Sequence, residues 1–298
     1  MNLLQASTLL VLIVGLGLGA AGAEEAHHNV ADPLGFNLTD GWFDPTAHSH
    51  FSRRGTPMIH SFRVEPAFTR RDVIVDYSFS RKRGEEEHEI EAELEWAFTR
   101  RLGLVVELPY AAINPNDEGA VNGFGDLAIS PRFLLAEYKR FLLAFALEVE
   151  TPTGSTRGDI GSGEVALAPS FSTWIDLGHW WAVNTQCGVE HALESNDSEL
   201  FCRASVIHTF APDADHDEAE TDHDHAHGLE PGLLSLILEV DMALALSGAD
   251  DGDIEAEGIA GLYCGLSEHA DLRLGYTFPL STSQDLYSGL TAGLLWHF

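Results

Sequence analysis

The sequence predicts an all-β protein, an antiparallel transmembrane β-barrel of about 12 strands, within bounds of about 10 to 14. Three observations predict it. From about Asp72 onward, stretches of 9 to 14 residues alternate apolar with polar or small side chains, separated by turn-rich gaps. The polar face of those stretches is rich in Asp and Glu, with Gly, Ala and Ser between them, as a wet interior requires. The last stretch sets Leu290, Ala292, Leu294, Trp296 and Phe298 on one face, with Thr291, Gly293, Leu295 and His297 between them.

Taken in order, residues 1–23 carry no charged side chain, and the apolar run 9–21 leads into Ala21-Gly22-Ala23, a small-x-small cleavage pattern. This reads as a secretory signal peptide cleaved near Ala23. The competing reading is a membrane anchor, but an apolar run of about 13 residues is short for a bilayer core of ~30 Å. No later segment approaches ~18 consecutive uncharged apolar residues, so no transmembrane helix is expected. Residues 24–71 contain Gly, Pro and His, and within them the alternating piece 59–68 reads as an extra strand or a plug. The barrel itself is expected over 72–298, with a His- and Asp-rich insertion at 211–231.

The clearest strand is 88–98. Ile90, Ala92, Leu94, Trp96 and Phe98 take one face, and Glu89, Glu91, Glu93 and Glu95 take the other. A helix would scatter those glutamates around its circumference, whereas a period of two sorts them completely. The same sorting recurs along 102–110, 141–150, 234–244, 254–264 and 271–278. A soluble sandwich also alternates, but its strands average ~5–6 residues, against ~9–11 for a membrane strand. Trp96, Tyr110, Trp174, Trp180, Trp181 and Trp296 fall near strand ends, where interfacial aromatic girdles would place them. Connections at 99–100, 137–139, 174–178 and 267–268 are short, and those at 81–87, 111–123, 151–162, 191–198, 248–253 and 280–285 are mostly longer and polar. That asymmetry suits short periplasmic turns and longer outer loops, with the gap 211–232 as the exception on the periplasmic side.

The run Gly123-Phe124-Gly125-Asp126-Leu127-Ala128-Ile129-Ser130-Pro131-Arg132 opens one strand, and Thr151-Pro152-Thr153-Gly154 closes the next. This pairing resembles the outer-membrane transporters of the MetA-pathway of phenol degradation family, over about 72–298. The resemblance implies a barrel that handles small organic solutes.

Composition argues about partners. The chain has 47 acidic and 16 basic residues, a formal net charge of −31. Such a surface repels phosphate backbones, which excludes nucleic acid as a partner and favours cations. The inward face is expected to collect Glu89, Glu91, Glu93, Glu95, Glu107, Asp126, Arg132, Glu148, Glu150, Glu239, Asp241, Glu255 and Glu257. In an open lumen these carboxylates would favour cations, and in a plugged one they would form a hydrated or salt-bridged filling. The expected function is therefore an outer-membrane pore or transporter for small solutes with a cation-favouring lumen. Outer-membrane lipid of a Gram-negative-type bacterium would surround it. The amphipathic last strand ending in Phe298 resembles the signal such barrels present to the barrel-assembly machinery.

No cofactor is required by this reading. The segment 213–227, with His216, Asp222, His223, Asp224, His225 and His227, has the imidazole and carboxylate chemistry that suits Zn²⁺ or another divalent cation. The alternative function is a periplasm-facing barrel that buffers or delivers such ions. Flexible His-rich tracts bind metal weakly, so a solvated loop is the competing reading. Cys187 and Cys202 fall at facing positions on neighbouring strands, in register with Val189 and Leu200. A lipid-side disulfide is therefore geometrically available, with Cys264 left over. Neither a nucleophile elbow nor a phosphate-binding glycine loop is present, so the chain is not expected to be an enzyme.

Overall fold

A computed structural model describes residues 32–46, 50–52, 54–115, 119–210, 231–248, 251–283 and 285–298. The period-two patterning becomes strands β1 (Arg71–Lys82), β2 (Glu85–Ala97), β3 (Leu102–Pro115), β4 (Val121–Phe124), β5 (Leu127–Tyr138), β6 (Phe141–Thr151) and β7 (Ala166–Gly178). They continue as β8 (Trp181–Ala192), β9 (Ser198–Phe210), β10 (Leu234–Ala245), β11 (Ile254–Ser267), β12 (Ala270–Pro279) and β13 (Leu286–His297). Apart from β4 and β5, neighbours along the chain pair antiparallel, and β1 also pairs with β13, from Asp72↔His297 to Lys82↔Leu286. That last pairing closes the sheet and removes its free edges. β4 and β5 both pair with β3 and are pieces of one broken strand, so the barrel is 12-stranded.

The break has a chemical cause. Tyr110 pairs with Phe124 while Glu107 pairs with Ala128, so the register slips by one residue across Gly125 and Asp126. Opposite that point sits Pro109, which has no N–H to donate to a ladder. Its carbonyl still accepts the Gly125 N–H at 2.9 Å. A bulge here frees Asp126 from the strand and turns it toward the neighbouring loop.

Two expectations need correction. The stretch 81–87 is not a loop: strand runs on both sides of a two-residue turn, Arg83-Gly84, where Gly84 takes φ +92°. Cross-strand ion pairs Arg81–Glu86 (2.9 Å) and Lys82–Glu87 (2.6 Å) balance the glutamate run that looked loop-like. Nor does Trp174 belong to an aromatic girdle. It lies inside the barrel, 1% exposed, in a cluster with Ile59, Phe68, Ile207, Ile237, Tyr263 and Leu295, and Trp180 packs against that cluster. Trp296, Trp181 and Tyr110 do face outward, beside an exposed apolar surface that includes Val75, Leu238, Leu262, Leu274 and Leu290. So wide an apolar surface on a closed barrel has the character of the outward band of a transmembrane barrel.

Cys187 pairs with Cys202 in the β8–β9 ladder and the two form a disulfide, Cα to Cα 4.3 Å, while Cys264 is free. The end of the barrel where β1 begins and β13 finishes is called the near end below, and the opposite one the far end. Residues 50–52 and 54–70, the interior segment, enter from the near end without forming a named strand. Burial of Ile59 and Phe68 there stabilises by ~1.5–3 kcal/mol each.

Candidate functional site

The interior is organised around that segment. Glu239, inward on β10, accepts three backbone N–H groups, from Phe62 (2.9 Å), Arg63 (2.8 Å) and Val64 (2.8 Å). Arg63 reaches Asp241 at 3.2 Å and Glu257 at 2.5 Å, and Arg203 donates to the Arg63 carbonyl at 3.2 Å. Glu65 pairs with Arg132, whose other nitrogen donates to Glu95 at 2.9 Å. Arg273 pairs with Asp76 and donates to the carbonyl of Ser61. Asp176 accepts from Ser52 at 2.8 Å and Thr56 at 2.9 Å. The ring of Phe62 lies over two facing glycines, Gly261 on β11 and Gly275 on β12. A Cβ on Gly275 would stand 2.8 Å from Phe62 Cε1. Small residues on the inward face thus make room for the segment, and inward charges hold it.

At the near end a buried polar cluster surrounds Asp72, which is 0% exposed. One of its oxygens takes His297 Nδ1 at 2.9 Å and the other takes His60 Nε2 at 3.1 Å. The second nitrogen of His297 meets Asp271 at 2.8 Å, where Tyr263 also donates at 2.8 Å. With a carboxylate at each nitrogen, both ring nitrogens of His297 act as donors. Arg70 donates to His50 Nδ1 at 2.6 Å. Burial, joined by that guanidinium, drives the His50 imidazole far below its usual range. Burial also outweighs the Asp72 hydrogen bond at His60 and brings it down to about 4, so His60 is neutral near pH 7.

The residues expected on the inward face divide into three groups. Glu95, Arg132, Glu239, Asp241 and Glu257 are engaged with the segment or with one another, as above. Glu89, Glu91 and Glu93 succeed one another along β2, Glu107 pairs across from Glu93 on β3, and Glu148 lies on β6. Among the described residues none of these five has a basic side chain within ion-pair distance. Glu150 ends the inward row of β6, and Glu255 occupies the corresponding place at the far end of β11. Asp126 departs from expectation. It lies in the bulge, accepting from Gly154 N (2.6 Å), Ser162 N (2.6 Å) and Ser162 Oγ (2.8 Å), so it pins the loop after β6 instead of lining the lumen.

His216, Asp222, His223, Asp224, His225 and His227 lie outside the described residues, as do residues 1–23 with their cleavage pattern. His60, Asp72, Asp76 and Glu65 were not singled out from the sequence. The only available hint was the alternation of 59–68, because contacts between a strandless segment and distant barrel positions leave no periodic signature.

No family model matches the chain, and no curated protein does. An outer membrane channel from Pseudomonas putida F1 superposes with a TM-score of 0.58 at 14% identity, over 80% of this chain and 100% of that one. The fold is one that an outer-membrane channel uses. The KdgM porin aligns at TM-score 0.47 and 13% identity, over 76% of this chain and 99% of that one. LpxR from Salmonella typhimurium aligns at 0.49 and 9%, over 76% and 100%. At such identities the likeness concerns the fold alone. The resemblance carried by 123–132 and 151–154 has no matching family model behind it.

Proposed function

We propose that this barrel is an outer-membrane channel for small solutes, favouring cations, whose passage is restricted by the segment 50–70. The observation that carries this is the set Glu89, Glu91, Glu93, Glu107 and Glu148, inward carboxylates without a basic partner among the described residues. Elsewhere in the interior Glu65, Asp76, Glu95, Asp241 and Glu257 are matched by arginines and Glu239 by the segment's backbone, while histidine, tyrosine or hydroxyl donors meet Asp72, Asp271 and Asp176. An unmatched strip of inward carboxylates along a passage attracts cations and repels anions. Outer-membrane lipid covers the outward apolar surface, and the last strand with Phe298 is what the barrel-assembly machinery receives. This is a function of passage and not of catalysis.

Reversal potentials of the folded protein in a planar bilayer under a salt gradient test the reading. Discrete cation-selective steps are expected. A silent bilayer, or anion selectivity, from protein shown to be folded would overturn it.

A further inference from the structure

We propose that His60, Asp72 and Glu95 form a binding site for a divalent transition-metal ion of the zinc type, which ties the interior segment to the barrel wall. One ligand atom from each of the three residues lies within 4.8 Å of those of the other two, and all three residues are buried. His60 Nε2 is 3.1 Å from Asp72 Oδ2 and 3.5 Å from Glu95 Oε2. Ligands at zinc bond lengths of ~2.0–2.2 Å in tetrahedral array stand ~3.3 Å apart, so both carboxylate oxygens already stand at about that spacing from His60 Nε2.

The decisive atom is Glu95 Oε2. Glu95 is 0% exposed, and this oxygen has no hydrogen-bond partner although it points at His60. A buried carboxylate oxygen without a partner is strongly disfavoured. Two carboxylate oxygens converge on a single imidazole nitrogen, and one N–H can serve only one of them well. A cation between the three serves all of them at once.

The surroundings orient these ligands as outer partners of metal sites do. His297 holds the other oxygen of Asp72 at 2.9 Å and is itself held by Asp271. Arg132 holds the other oxygen of Glu95 at 2.9 Å. The overlapping trio His50, Asp72 and His297 is a poorer candidate. Both nitrogens of His297 are committed to carboxylates, and Arg70 presents its charge to His50 Nδ1. Because His60 belongs to the interior segment, Asp72 to β1 and Glu95 to β2, one bound ion would join three parts of the chain that are separate in sequence. Three protein ligands leave a fourth position for water.

The site stands or falls apart from the pore reading, since metal retention reports the site and conductance reports the pore. Full-length protein folded in detergent would be incubated with Zn²⁺, passed over a chelating resin and assayed for zinc retained per chain. Wild-type protein should keep a single tight equivalent. His60→Gln and Glu95→Gln should each weaken retention by at least ~100-fold, beyond the 10- to 100-fold loss typical of outer-partner mutations. A variant with His216, His223, His225 and His227 replaced by Ala should keep the tight equivalent. Since His60 lies outside every strand, His60→Gln leaves the barrel sequence intact and reports even if Glu95→Gln does not fold. Wild-type protein that retains no zinc, or zinc that survives both ligand substitutions and leaves with the loop histidines, would overturn the proposal.

Discussion

The side chain of Glu239, midway along β10, accepts the backbone N–H of Arg63 at 2.8 Å, and its two oxygens together serve three consecutive residues of the interior segment. A strand carboxylate here does the work that a partner strand would otherwise do for an unpaired backbone. Glu239→Ala should therefore loosen the segment to a degree comparable with loss of a buried apolar anchor such as Phe68. The expected loss is on the order of 3 kcal/mol, roughly 100-fold in the docking equilibrium. Trypsin cleavage at Arg63 in the folded, detergent-solubilised barrel measures it. An unchanged cleavage rate would show that the segment is held elsewhere.

Gly275 and Gly261 leave the space that Phe62 fills. Gly275→Ala should strain that contact by ~1–3 kcal/mol, as overpacking does. Phe62→Ala in the same chain should relieve the strain, so the double mutant should be less impaired than the sum of the singles. Cleavage rates at Arg63 across the four proteins form the cycle. Strict additivity would disprove the contact.

Replacing Glu91 and Glu93 together by Gln removes two of the five unmatched inward carboxylates. Cation selectivity should fall, with reversal potentials moving toward zero, while barrel stability holds. Replacing Glu86 and Glu87, which pair with Arg81 and Lys82 near the far-end turn, should leave selectivity much closer to wild type.

Asp126 joins the β4–β5 bulge to the loop after β6 through Gly154 and Ser162. The anchoring rests on a carboxylate that accepts three hydrogen bonds, two from backbone N–H groups. Asp126→Asn should weaken the loop at neutral pH by ~1–3 kcal/mol. Amide exchange at Gly154 and Ser162 reads this directly. Equal protection in the variant would remove Asp126 from that role.

The Cys187–Cys202 disulfide closes a hairpin across a sequence separation of 15. Chain-entropy reasoning gives ~3 kcal/mol for such a loop. Replacing both cysteines by Ser should lower the temperature at which the barrel loses its compact electrophoretic mobility. An unchanged midpoint would mean that the hairpin's own ladder already holds this part of the chain.

Alternation in β2, where glutamates and large apolar residues separate cleanly, makes the barrel legible in the sequence. The same parity placed Cys187 opposite Cys202 and put Arg132 and Glu239 inward. Parity also puts Trp174 inward, but its position near a strand end made a girdle residue the easier reading. Asp126 sits in a sequence that reads as continuous strand. Only the missing N–H of Pro109, one strand away, explains why the chain bulges there.

Local periodicity is written by the two environments a strand faces, lipid and interior, so the sequence by itself determined the strand count, the facing of most side chains and the closed antiparallel class. What fills the interior was decided only in three dimensions. The segment 50–70 has no repeating environment to impose a pattern. Its partners Asp72, Glu95, Asp176, Glu239 and Arg273 lie on five different strands, brought together only by closure. Contacts that depend on the curvature of a closed sheet leave no spacing along the chain, so charge matching and the glycine hollow under Phe62 appear only when the barrel is formed.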